Sequence, residues 1–102
     1  MSVNLRIVTP SAVAFEGTGS SVTGPGFYGE FGVLSKHAKF LTLNAPGVVR
    51  LKGAQTEGSN EFVIGKGFAE VSDDCVTYLV DSCTPVTEID GDIKEFISNL
   101  NS

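Results

Sequence analysis

Side chains able to do chemistry are few, and His37, the chain's single histidine, heads them. It stands in "GEFGVLSKHAK" (29–39), where two glycines bracket an acid and an aromatic before a short apolar step. A Ser–His–Asp arrangement would need this imidazole as its base. Lys36 and Lys39 disfavour a protonated ring wherever they approach it, and a histidine in a tight β corner more simply holds backbone through a ring hydrogen bond. "GPGFYG" (24–29) satisfies G-x-G-x-x-G formally. A dinucleotide site, however, needs that loop to open a helix; a strand-like stretch follows instead, and Pro25 removes an amide that could hold phosphate. "GK" at 65–66 lacks the glycine spacing of a P-loop, and no G-x-S-x-G is present. Asp73 and Asp74 fall where a hairpin turn favours aspartate. Cys75 and Cys83 are the only cysteines; with one distant imidazole they lack zinc-ligand spacing, and they are expected as reduced, structural thiols. The expectation is therefore no catalytic residue, no cofactor and no metal.

The 102 residues suit one domain burying roughly two thirds of its unfolded surface. A hydrophobic fraction of 41% with 19% charged residues is that of a globular protein rather than a disordered one. Seven lysines and arginines are scattered, and the net charge is −5. Nucleic-acid binding, which needs concentrated positive charge, is excluded as an expectation. The start "MSVNLRIV" has no signal-peptide pattern, and no segment approaches the ~20 apolar residues of a membrane span. A cytoplasmic protein with no direct membrane insertion is expected, the isolated chain being a monomer.

These residues would be positioned by strands. Leu5 and Ile7 alternate with polar neighbours, and Val13 with Phe15 repeats the pattern after the turn at Thr9-Pro10-Ser11. Apolar runs follow at "FLTL" (40–43), "VVRL" (48–51), "EFVI" (61–64), "FAEV" (68–71) and "CVTYLV" (75–80). Turn formers separate them at "GTGS" (17–20), "GPG" (24–26), "APG" (45–47), "EGSN" (57–60) and "SDD" (72–74). Short strands at such spacing read as an antiparallel sandwich or barrel. The tail "DIKEFISNLNS" differs: Ile93, Phe96, Ile97 and Leu100 share one helical face, with Asp92 and Glu95 placed as a capping box. So short a helix needs a surface to pack on, either its own sandwich or a partner groove.

The run "GEFGVLSKHAKFLTLNAPGVVRL" (29–51) resembles the signature of the epsilon subunit of F-type ATP synthases, through Gly29, Glu30, Gly32, Leu34, His37, Ala38, Leu41, Thr42, Pro46 and Gly47. "LRIVTPSAVAFEG" (5–17) resembles that family's first hairpin, and "FVIGKGFAEVSDDCVTYLVDS" (62–82) its later strand–turn–strand segment. The resemblance spans roughly residues 3–83 in order. It implies an all-β, about ten-stranded antiparallel β-sandwich over 1–83, followed at 84–102 by a linker and one short amphipathic helix. It also implies a non-catalytic rotor subunit, peripheral on the cytoplasmic face of the membrane, joining the gamma subunit to the c-ring and coupling ion translocation to ATP synthesis or hydrolysis. By the same match Gly29, Glu30, Phe31 and His37 would meet the c-ring, and Thr9 and Thr42 the gamma subunit.

Taken as complete at Ser102, the chain would lack the family's inhibitory helical hairpin and its ATP site. Within the signature, Ser35-Lys36 replace Pro-Gly, Lys39 replaces proline and Lys66 replaces glycine. Asn44 stands where an apolar residue is common, and if buried it needs a hydrogen-bond partner or costs ~1–3 kcal/mol. The alternative reading is a sandwich-type ligand- or protein-binding module with redirected partners. Its aromatic platform would come from Phe27, Tyr28 and Phe31.

Overall fold

Alternation of apolar and polar residues produces strands that bury one side. The structure, a computed structural model, describes residues 3–30, 39–53 and 60–100, and of residues 27–30 the backbone alone. Ten strands form: β1 (Val3–Val8), β2 (Val13–Gly19), β3 (Ser21–Gly24), β4 (Phe27–Glu30), β5 (Phe40–Asn44), β6 (Gly47–Lys52), β7 (Glu61–Ile64), β8 (Gly67–Ser72), β9 (Cys75–Val80) and β10 (Cys83–Pro85). They make two five-stranded sheets, ordered β2-β1-β9-β8-β5 and β10-β7-β6-β3-β4. The sandwich, not the barrel, is the outcome. One pairing departs from the expected antiparallel pattern: β1 and β9 run parallel. The chain visits the second sheet between them, so both enter the centre of the first sheet in the same direction.

The core lies between the sheets. Val3, Leu5 and Ile7 of β1, Val49 and Leu51 of β6, and Val76 and Tyr78 of β9 are all essentially without solvent exposure. Burying each of the aliphatic side chains among them contributes roughly 1.5–3 kcal/mol. Phe15 closes one side, its ring centroid 4.5 Å from that of Phe62.

Three local readings change. "GTGS" is not a turn: Gly17 and Gly19 continue β2. A Cβ at Gly17 would meet the Phe15 ring, and one at Gly19 would meet Leu51 and the Lys52 carbonyl. These glycines permit close packing between the sheets rather than a change of direction. Val13 and Phe15 do not share a face either. The register pairs Ile7 with Phe15 but Val8 with Val13, leaving Ala14 as a bulge. Phe15 thus turns inward and Val13 outward. Strands β3, β4 and β10 carry no apolar run that announces them. β10 pairs with β7 as far as Pro85 opposite Phe62, so the sheet reaches past residue 83.

The "SDD" turn behaves as read. Asp73 and Asp74 both adopt positive φ, 46° and 58°, which a two-residue hairpin of primed type requires. Beyond a 3₁₀ turn at Val86–Glu88 comes α1, Ile93–Leu100. Asp92 caps it, accepting through Oδ1 from the Lys94 amide at 2.9 Å. Its apolar stripe is half-buried and none of its residues is fully buried.

Candidate protein-docking surface

Strand β5 lies at the edge of the first sheet, and its sequence, FLTLN, alternates in the reverse of the usual sense. Thr42 pairs with buried Ala69, so Phe40, Thr42 and Asn44 face inward. Leu41 and Leu43 face outward and are 61% and 81% exposed. The strand therefore places its polar residues inside and its leucines in water. Asn44 meets the requirement set by its burial: Nδ2 donates to the Ala45 carbonyl at 3.0 Å and to the Gly65 carbonyl at 3.1 Å. Its Oδ1 has no hydrogen-bond partner among the described residues.

Register extends the leucine surface across the whole sheet. Leu43 pairs with Phe68, Phe68 with Leu79, Leu79 with Val8, and Val8 with Val13. Five apolar side chains, one from each strand, thus form a row on the outer face. Val13 is 44% and Phe68 36% exposed. The bulge at Ala14 completes the row, because without it Val13 would turn inward. Thr9, Pro10, Lys66 and Asp81 rim a shallow hollow beside Val8 and Leu79. The next row starts at Leu41 on β5 and is otherwise polar, with Glu70, Thr77, Arg6 and Glu16 following in succession and Arg6 3.5 Å from Glu16. A contiguous apolar surface with a polar rim is the anatomy of a protein-binding site.

Of the residues singled out in the sequence, Thr9 lies at the margin of this row. Its amide and carbonyl bond to Ala12 at 2.9 and 3.3 Å, and its hydroxyl donates to the Ala12 carbonyl at 3.2 Å, closing the turn after β1. Thr42 is on the opposite side of β5 from Leu41 and Leu43, half-buried toward the second sheet. Gly29 and Glu30 end β4, with their backbone paired to Val22 and Ser21. Phe31 and His37 lie outside the described residues, as do the side chains of Phe27, Tyr28 and Glu30; the c-ring and aromatic-platform readings depend on these. The two cysteines are free thiols. Burial pushes the Cys83 thiol up from 9.0 to about 11, which makes it a poor nucleophile at neutral pH. Among the described residues no group of His, Cys, Asp or Glu is arranged to hold a metal ion. Among them, too, no helix is long and apolar enough to cross a membrane.

Sequence reasoning did not find the row. Leu41, Leu43, Phe68, Leu79 and Val8 sit in runs that read as core strands. The available signal was the alternation of Thr42 and Asn44 with the leucines, which separates two faces without saying which is inward.

Comparison with known proteins gives the surface a context. The sequence model described as "ATP synthase, Delta/Epsilon chain, beta-sandwich domain" matches residues 2–86. The ATP synthase epsilon chain of a Nitratiruptor species is 43% identical over 83% of this chain and 65% of the relative. That of Nitratidesulfovibrio vulgaris is 44% identical over 89% of this chain and 66% of its own. The chain thus spans about two thirds of the length of these relatives. Among solved structures, a chain of the Euglena gracilis mitochondrial ATP synthase (OSCP/F1/c-ring) aligns with a TM-score of 0.64 at 25% identity, over 96% of this chain and 60% of that one. A chain of the Tetrahymena thermophila central stalk/c-ring structure shares the fold at a TM-score of 0.66 and 14% identity, over 98% and 88%. With the family match covering both sheets from end to end, the chain belongs to the ATP synthase delta/epsilon-chain β-sandwich family.

Proposed function

We propose that this chain is a non-catalytic central-stalk subunit of an F-type ATP synthase. In this reading the sandwich seats the outer face of its first sheet on the gamma subunit. The end of β4, with Gly29, Glu30, Phe31 and His37, meets the c-ring. The chain works as a rigid spacer fixing the shaft to the ring, so that ion flow and rotation stay coupled. It binds no cofactor, and it is held at the cytoplasmic face of the membrane through its partners.

The observation that carries the reading is the inverted edge strand, with Leu41 and Leu43 in water while Thr42 and Asn44 are inside. A free domain gains nothing from that arrangement, whereas a joint under torque needs an apolar, closely fitting surface on a stiff platform. Both of the similar solved structures include the c-ring, and one of them the central stalk. Thr9 lies beside the apolar row as a gamma contact would; Thr42 would act from behind it.

The test is co-purification with the gamma subunit of the same cell. Wild-type chain is expected to bind one-to-one at micromolar concentration and Leu43→Asp to lose the complex while remaining folded. Undiminished binding by Leu43→Asp overturns the docking face. For the other end, Glu30→Lys is expected to weaken assembly with the c-ring without unfolding the domain, and an unchanged assembly yield would argue against that contact.

A further inference from the structure

Tyr78 is the largest fully buried side chain of the core, with no solvent exposure. A phenylalanine would fill the same volume, so the hydroxyl is what tyrosine adds. Placing that group in the interior is unfavourable unless it is hydrogen-bonded. Its partner is the carbonyl of Pro25, 3.1 Å away and 53 residues distant in sequence. The bond crosses from β9 in the first sheet to the β3–β4 turn of the second.

That turn is held on every side. A Cβ at Gly24 would collide with the Tyr78 hydroxyl and press on Val49, so only glycine lets the phenol approach the chain. A Cβ at Gly47 of β6 would meet the Pro25 ring. Gly26, at φ 76°, passes close to the Leu43 carbonyl and the Thr42 side chain of β5, 3.2 and 3.5 Å from the position a Cβ would take. The inward-facing threonine of the docking strand therefore seats the turn. Strand β4, by contrast, is an edge strand whose pairing in the sheet is to β3. Its direction depends on the turn that launches it.

We infer that Tyr78 is a positioning residue: its hydroxyl pins the Gly24–Gly26 turn across the sandwich and so fixes the line along which β4 carries Gly29 and Glu30. The inference rests on the stalk reading only for what those two residues meet. The turn then links both working surfaces, since it touches the back of the strand bearing Leu41 and Leu43 and starts the strand that ends at Glu30. Burial pushes the pKa of the phenol above its ordinary value, which keeps the hydroxyl a donor across the physiological range.

Amide hydrogen exchange on the full chain, without any partner, tests this. Tyr78→Phe is expected to speed exchange of the protected amides within 21–30 at least fivefold, while β1 and β8 change less than twofold. Ile7→Val serves as the comparison, a core change on the strand beside Tyr78 that leaves the hydroxyl and its bond to Pro25 in place; it is expected to loosen both sheets alike. Should Tyr78→Phe accelerate all strands equally, as Ile7→Val does, or accelerate none, the positioning role is overturned. Failure of wild-type chain to associate with gamma or the c-ring would sink the stalk reading and leave the exchange result standing.

Discussion

Two adjacent rows of the first sheet run through the same five strands and have opposite fates. The inner row is Phe15, Ile7, Tyr78, Ala69 and Thr42; the outer row is Val13, Val8, Leu79, Phe68 and Leu43. Ile7, Tyr78 and Ala69 are fully buried, whereas Leu43 is 81% exposed. Hydrophobicity alone does not separate the rows, because the outer one is as apolar as the inner and ends in leucine where the inner ends in threonine. The inner row supplies folding free energy, whereas the outer row leaves apolar surface in water, as the proposed docking on a partner requires. Apolar content and stability therefore come apart in this domain.

The strongest way to break the comparison is to truncate each row. Ile7→Ala leaves a cavity at a fully buried site and is expected to cost about 2–5 kcal/mol in denaturant unfolding. Leu43→Asp is expected to change stability by no more than about 0.5 kcal/mol. It should nevertheless weaken capture of gamma tenfold or more, a loss of at least about 1.4 kcal/mol of binding. If Leu43→Asp unfolds the chain, the outer row is structural after all and the distinction falls.

Alkali offers a subtler separation. The thiol of Cys83 and the phenol of Tyr78 are both raised by burial, so in the unfolded chain they lose protons at lower pH than in the folded one. The contribution of Cys83 to stability is complete below about pH 9 and is lost as pH climbs through about 11, its folded value, whereas that of Tyr78 begins to fall only above its ordinary 10.0 and is lost at higher pH. Unfolding midpoints should accordingly fall between pH 9 and 11, and Cys83→Ala should flatten part of that fall while lowering stability at neutral pH. An unaltered slope in Cys83→Ala would assign the decline elsewhere. The smallest effect is expected beside the outer row. Arg6 and Glu16 are 49% and 69% exposed, and Arg6→Gln should cost about 0.2–1 kcal/mol at most and leave gamma capture within twofold. A larger loss of capture would extend the docking surface into the polar row.

Much of this architecture was legible beforehand. Leu5 and Ile7, "EFVI" and "CVTYLV" announce core strands through their alternation or their apolar runs, and the Asp73-Asp74 turn and the capped helix follow local chemistry. What escaped depends on distant partners. The glycines at 17 and 19 read as a turn because their reason, the approach of Phe15, Leu51 and Lys52, is tertiary. β3 and β4 are short and glycine-interrupted, and a hydroxyl on the far sheet holds the turn between them. The outward apolar row was hidden in runs that read as core, and it was completed by a bulge that shifts one residue. Short apolar runs report the existence of a strand; only register tells which side is wet.

The parallel contact of β1 with β9 bears on how the chain comes to be folded. Leu5 lies opposite Val76 and Val8 opposite Leu79, so the first of the ten strands is completed by the ninth. On the ribosome, β1 can form only its local hairpin with β2 until residue 80 has cleared the exit tunnel, while β3, β4 and β6 already have their neighbours in the second sheet. Closing so long a loop is slow, and until it closes the side of β1 awaiting β9 is an unpaired edge. The newborn chain should therefore be most prone to aggregation in the interval before β9 emerges, and a nascent chain stalled short of Cys75 is where chaperone engagement should be greatest.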